Sequence, residues 1–461
     1  MKKLPRNLIV ALFLSTGIVT GTWAQVPNKT NETAENLSGM NPELQVKTKK
    51  QKEAEQKGEN KPSKLTFGGY GEAVMTRNFY SDNVFRYSHA SDYKNAHSNG
   101  QFDLPHVVFM IGYDFGKGWS MGSEIEFEHG GTEAAVEMEA EETGEYETEV
   151  ERGGEVALEQ FWIQKSFCKE FNIKMGHIIV PIGYTNGNHL PTQFFTVYRP
   201  EGENTIMPCT WHETGISLWG KAGDWRYEIM FLPGLNSNMF TKDRWINKAS
   251  ASAFEYRTAN TYAGAFRVDN YSIKGLRIGI SGYYGHSFHN SVQTDFDAKE
   301  YKNVKGAVMI GAIDFDYAGH NWIVRGNFDY GHLGDAAKIS KFNQNLMKVS
   351  PYPRTLVGKS ALCGGVEAGY DLFSQCSKMR EKEQKLYVFG RYEYYDAYEP
   401  ATKSSADYPW TERHRIAAGL NYYPMKQIVI KGEYSTRLLK SQYNNEPSIS
   451  LGIAYAGFFT R

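Results

Sequence analysis

The stretch that decides the fold is Trp119–Gly130, WSMGSEIEFEHG. Side chains on an extended strand point alternately to two faces. Trp119, Met121, Ser123, Ile125 and Phe127 share one face; Ser120, Gly122, Glu124, Glu126 and Glu128 share the other. One face is apolar and the other carries three carboxylates in a row. A soluble sheet lays its apolar face on a core and gives its polar face to water. A membrane barrel turns the apolar face out to lipid and the polar face in to an aqueous lumen. The surrounding sequence decides between the two.

From Leu65 to the last residue, amphipathic runs of about ten residues recur, the length of a spanning strand. They fall near 65–80, 102–115, 119–129, 155–167, 171–182, 211–220, 225–233, 258–269, 275–287, 304–317, 321–330, 357–372, 385–396, 411–423, 427–437 and 448–459, which makes sixteen. Their connections alternate. GKG, CKE, KAGD, NYSIK, AGHN and PMK are short turns, and 373–384 is a longer one; 81–101, 130–154, 183–210, 234–257 and 331–356 are long loops. Three short turns run directly into Trp119, Trp225 and Trp322, as an interfacial girdle requires. A sandwich has no reason for that alternation. In a bilayer no strand edge stays unpaired, so amphipathic strands must close on themselves. The expectation is an all-β, antiparallel transmembrane barrel of about sixteen strands over residues 65–461, wide enough to leave a channel.

The chain's ends and composition agree. Lys2, Lys3 and Arg6 precede the apolar run Leu8–Leu14, and Thr22 and Ala24 suit a cleavage site, so 1–24 reads as a secretory signal peptide. Residues 25–64 are rich in Lys, Glu, Asn and Gln and read as a disordered or short-helical periplasmic linker. No later run approaches the ~18 apolar residues of a spanning helix. A formal charge of −1 argues against nucleic acid as a partner. Cys168, Cys209, Cys363 and Cys376 are too irregularly spaced for a disulfide framework or a metal site.

The segment IKMGHIIVPIGYTNG, Ile173–Gly187, with Gly176, Pro181 and Gly183, resembles the signature of the phosphate-selective porin O and P family. The following loop and hairpin, and YVFGRYEYYD at Tyr387–Asp396, look similar to the same family. The resemblance covers 65–461. It implies an outer-membrane porin of sixteen strands, a homotrimer, with the third long loop folded inward. Here that loop is 183–210, and it places Arg199, Glu201 and Glu203 at the pore constriction, with Phe194, Phe195 and Tyr198 as anchors and the charges facing the opening.

Alternation supplies the lining independently. Glu124, Glu126, Glu128, Arg226, Arg267, Arg277, Arg325, Arg391, Arg413, Arg415, Lys431 and Arg437 fall on inward faces, with Glu228, Asp314, Asp316, Asp329, Glu367, Glu393 and Glu433. Nine basic against ten acidic side chains form no anion trap, a departure from phosphate-selective members. The loop 130–153 holds nine glutamates and one arginine and reads as a solvated external loop. HSNG, His97–Gly100, superficially resembles a fragment of outer-membrane lipid hydrolases, but adjacent His97 and Ser98 would point oppositely. The sequence thus points to a Gram-negative outer-membrane porin, exported by a signal peptide and passing small hydrophilic solutes or ions by diffusion. Its expected partners are outer-membrane lipids and copies of itself. No cofactor, metal or catalytic group is expected. The rival readings are a surface adhesin or scaffold on a barrel, and a lipid hydrolase.

Overall fold

A computed structural model describes residues 64–96, 99–140, 146–250, 256–291, 300–346, 352–402 and 406–460, without the side chains of Val84 and 131–154. The signal peptide and nearly all of the linker, and the His97–Ser98 pair, lie outside the described residues.

Sixteen strand positions make one closed antiparallel sheet. They are β1 (Leu65–Asn78), β2 (Asn99–Asp103, then His106–Gly116), β3 (Trp119–Ala140), β4 (Tyr146–Cys168), β5 (Phe171–Ile179), β6 (His212–Ala222), β7 (Trp225–Pro233) and β8 (Tyr262–Asn270). They continue as β9 (Leu276–His286), β10 (Ala307–Gly319), β11 (Trp322–Leu333), β12 (Ser360–Asp371), β13 (Lys385–Asp396), β14 (Glu412–Met425), β15 (Ile428–Leu438) and β16 (Ser448–Phe458). Each pairs with its neighbours in sequence, and β1 pairs with β16 from Gly68↔Phe458 to Asn78↔Ser448, which closes the ring. β2 is interrupted at Leu104–Pro105, where proline has no N–H to give the ladder. Among the described residues no helix is long and apolar enough to cross a membrane.

The pleat sorts the side chains as the opening stretch predicts. Neighbouring residues show it: Ile229 is 63% exposed and Glu228 6%, Ile313 is 41% and Asp314 1%, Leu451 is 54% and Ser450 6%. Carboxylates are inside and aliphatic groups outside. In water this would be inverted, since removing one large apolar side chain from water is worth about 1.5–3 kcal/mol. Lipid around the barrel removes the conflict, and the closed ladder leaves no strand edge to it.

One connection differs from expectation. Residues 130–140 and 146–154 are not loop: β3 and β4 continue as a ladder through Glu133↔Gly153 to Ala140↔Tyr146. Alternating Glu, Ala, Val and Met can extend a ladder beyond the bilayer, where both faces meet water. Described parts of the connections after β7, β9 and β11 pack together at that same end. Trp211, Phe240, Trp245, Phe288, Ile339 and Phe342 form an apolar core there, all buried, and Trp245 Nε1 donates to Gly358 O at 3.1 Å.

Candidate functional site

Strand register builds one wall of the interior. Arg277 of β9 lies opposite Asp316 of β10, which lies opposite Arg325 of β11. Arg325 is opposite Glu367 of β12, and Glu367 opposite Arg391 of β13. Five successive strands thus set a row of alternating charge. Arg325 meets Glu367 at 2.8 Å, and Arg391 meets Glu367 and Glu393 at 3.1 Å each. Glu393 passes the row to Arg415 at 3.0 Å, and Arg415 also pairs with Glu433. Towards β7, Arg277 and Arg267 share Asp269 and Asp314, with Arg277 2.5 Å and Arg267 2.9 Å from Asp314. Arg226 holds Glu228 at 2.6 Å. Arg226, Arg267, Arg277, Arg325, Arg391 and Arg415 are thus members of an ion-paired network rather than free cations.

The segment between β5 and β6 lies inside the barrel against this wall. It leaves the sheet where Pro181 cannot donate and Gly183 takes φ +70°. A Cβ on Gly183 would stand 2.6 Å from Glu203 Oε1, and one on Gly176 (φ +138°) 2.2 Å from Phe161 O, so both motif glycines have steric reasons. Arg267 donates to Gly183 O at 2.7 Å. Phe195 stacks on Phe389 with ring centres 5.5 Å apart. Lys431 Nζ donates to Phe194 O and Thr196 O at 3.0 and 2.8 Å, and Val197 N–H donates to Glu433 at 2.7 Å.

The charges of this segment do not face an opening as expected. Glu203 is buried and accepts from Tyr184 N–H at 2.7 Å and Thr185 N–H at 2.5 Å. Glu201 binds Arg437 and Arg415 and accepts from Tyr395 Oη at 2.7 Å. Arg199 is buried, with its guanidinium 3.5 Å from Tyr70 Oη. The physical reason is that a segment crossing a barrel carries unpaired backbone and charge, which burial penalises unless each group finds a partner.

The facing wall is built differently. Glu124, Glu126 and Glu128 lie opposite Met110, Val108 and His106 of β2, and Gln160, Ala157 and Glu155 of β4. No arginine or lysine stands in register with them. Between Gln160 and Leu158 the ladder skips Glu159, a bulge. Val156 and Leu158 point out before it, Phe161 and Ile163 after it. The bulge turns Glu159 inward, and alternation alone cannot find it. His106 Nδ1 lies 2.8 Å from Glu126, and Gln160 donates to Glu124 at 2.6 Å.

Between the two walls is a cavity of about 570 Å³ at the short-turn end. It is lined by both walls, including Glu124, Arg226, Arg277 and Arg325, and reaches His189 and Gln193 of the crossing segment. Arg413 and Arg437 lie at the opposite mouth. There Arg413 (2.9 Å), Arg437 (3.6 Å) and Arg86 (3.1 Å) converge on Glu446 of the loop between β15 and β16. Burial pushes the Glu446 carboxyl up, but the three guanidiniums outweigh it and hold its pKa below the usual range. Lys174 and Asp269 are interior charges that the sequence reading missed. Asp269 shares the inward face of Arg267, a signal that was available. Cys363 is buried, its Sγ 3.3 Å from Asp329.

No family model matches the chain. It is 25% identical over 392 residues to an uncharacterized protein of Aquifex aeolicus (strain VF5), covering 83% of this chain and 78% of that one. Among solved structures it is similar to the outer membrane channel DcaP of Acinetobacter baumannii, at 10% identity and TM-score 0.47, over 86% of this chain and 99% of that one. It is also similar to Salmonella typhi OmpF in complex with daunomycin, at 12% identity and TM-score 0.48, over 85% of this chain and 97% of that one. At these TM-scores the barrel assignment rests on the strand pairing alone.

Proposed function

We propose that this chain is an outer-membrane porin through which small hydrophilic solutes or ions diffuse. The observation that carries the reading is the inversion: a closed barrel with aliphatic side chains outside and a cavity inside walled by interleaved Arg, Asp and Glu. An aliphatic exterior suits a bilayer. A charged interior suits a hydrated path, and near-balance of charge suits a path of weak ion preference. On this reading the segment between β5 and β6 is the constriction, since it occupies the interior. The chain needs no cofactor and has no catalytic role. A homotrimer and kinship with the phosphate-selective porin family rest on the resemblance around Gly176, Pro181 and Gly183. Single-channel recording of the full folded chain in planar bilayers tests the proposal. Discrete conductance steps are expected, and a folded barrel that carries no current would sink it.

A second reading draws on the apolar core of Trp211, Trp245, Phe288 and Phe342. A packed cap of loops is what a surface adhesin or scaffold presents. On that reading the barrel would stay silent in bilayers while its loops retain a protein partner.

A further inference from the structure

We propose that His189, Glu124 and Glu159 form a binding site for a zinc-like divalent cation, which ties the crossing segment to the acid wall. One ring nitrogen of His189 and one carboxylate oxygen each of Glu124 and Glu159 lie within 4.8 Å of one another. The three come from separate places: β3, the bulge of β4, and the segment between β5 and β6. The bulge has a clear consequence here, because without it Glu159 would face lipid.

The histidine supplies the second observation. His189 is 7% exposed. Its Nδ1 lies 2.8 Å from the backbone carbonyl of Asn186. A carbonyl only accepts, so Nδ1 carries the proton and Nε2 holds the free lone pair. Among the described residues His189 makes no other hydrogen bond, and it borders the cavity together with Glu124. This is the outer-shell arrangement of a ligating imidazole, whose second nitrogen donates to a backbone carbonyl. Glu159 accepts from Thr210 Oγ1 and Tyr70 Oη, and Glu124 from Gln160, and each carboxylate has further lone pairs to offer a cation.

Charge and donor type point the same way. The groups around the site are Glu126, Glu128, His106, His212, Tyr70 and Arg199. The four glutamates 124, 126, 128 and 159 face one guanidinium, Arg199, so a dipositive ion brings the region nearer neutrality. One nitrogen and two oxygen donors suit zinc, with water as the fourth ligand, whereas magnesium and calcium prefer all-oxygen shells. Ligands of a tetrahedral zinc stand about 3.4 Å apart, given bond lengths of about 2.0–2.2 Å. The three side chains therefore need to close by about an ångström, which rotation of glutamate carboxylates provides. The second cluster, His106 with Glu126 and Glu128, has its nearer nitrogen already engaged at 2.8 Å by Glu126.

The inference stands apart from permeation, because its readout is binding. The full chain, folded in detergent and stripped by chelator, is titrated with Zn²⁺ and with Mg²⁺ by calorimetry, and with Co²⁺ by visible absorption. Saturable Zn²⁺ binding is expected, with the intense absorption of low-coordinate Co²⁺ and at least tenfold weaker binding of Mg²⁺. His189→Ala and Glu159→Gln should each weaken Zn²⁺ at least tenfold, whereas His286→Ala with His289→Ala should not. If those site variants fail to fold, Glu124→Gln serves, since it still accepts from Gln160. Absent Zn²⁺ binding, or binding unchanged in the site variants that fold, overturns the proposal.

Discussion

The two walls of the interior both carry acids but dispose of them oppositely. On the first wall Glu228 lies opposite Arg267, Asp316 opposite Arg325, Glu367 opposite Arg391 and Glu393 opposite Arg415. On β3 and β4 the carboxylates stack along one strand, and their cross-strand neighbours are Met110, Val108, Gln160 and Ala157. The first arrangement is a neutral mesh that holds itself and the crossing segment in place. The second leaves negative charge gathered on one side. The difference lies in what the neighbouring strands supply: arginines on one side, and Met110, Val108, Gln160 and Ala157 on the other.

The largest expected effect comes from breaking the mesh. Arg415→Met leaves Glu393, Glu433 and Glu201 facing one another without their shared cation, and removal of one partner of a buried pair costs about 3–5 kcal/mol. Urea unfolding of the barrel in lipid vesicles should show that loss. Glu126→Gln on the other wall should be neutral or stabilising. Equal losses for both would mean that the two walls are not distinct.

Next, Ile229→Arg places a guanidinium on the exterior and should cost about 2–4 kcal/mol if it lies near the midplane. Glu126→Gln, on the inward face, should reduce stability less. The reverse order of folded yields would show that the barrel has been read inside out.

Selectivity sharpens the comparison at lower energy. Arg199 is the guanidinium facing the gathered carboxylates, so Arg199→Gln should raise the cation-to-anion permeability ratio several-fold, as buried charge in a narrow path is little screened. Reversal potential under a salt gradient reads it. An unmoved potential in a folded variant would separate the acid wall from the conducting path.

The smallest effect concerns the mouth. Glu446 titrates below its unfolded value of about 4.3, so its contribution is complete above that pH and is lost as pH falls through the folded value. The stability it contributes should disappear there, read as a falling thermal unfolding midpoint. In Glu446→Gln that part of the acid dependence should vanish; an unchanged pH profile would remove the clamp from the account.

The sequence disclosed all sixteen strands because turn chemistry and alternation agree at nearly every one, Trp119–Phe127 most plainly. It disclosed the inward charges for the same reason. It hid Glu159, since Phe161 and Ile163 set a parity that the bulge reverses one residue earlier. It hid the continuation of β3 and β4, because glutamates on an extended ladder outside the bilayer look like those of a solvated loop. It misled on Glu203 and Arg199, whose partners Tyr184, Thr185 and Tyr70 become neighbours only when the segment enters the barrel. Local pattern reports which face a residue occupies; it does not report what a long connection does after leaving the sheet.

The seam between β1 and β16 has a bearing on how the molecule is made. Gly68 with Phe458 and Asn78 with Ser448 are the end rungs of a ladder whose partners stand almost four hundred positions apart in the chain. A contact that remote carries a large loop-closure entropy and forms slowly. Until it forms, two strand edges are bare, and a bilayer tolerates neither. No shortened chain ending before β16 can therefore rest in the membrane as a partial barrel. Assembly must hold the nascent edges covered until β16 docks, so one strand decides whether the other fifteen are a wall or an aggregate.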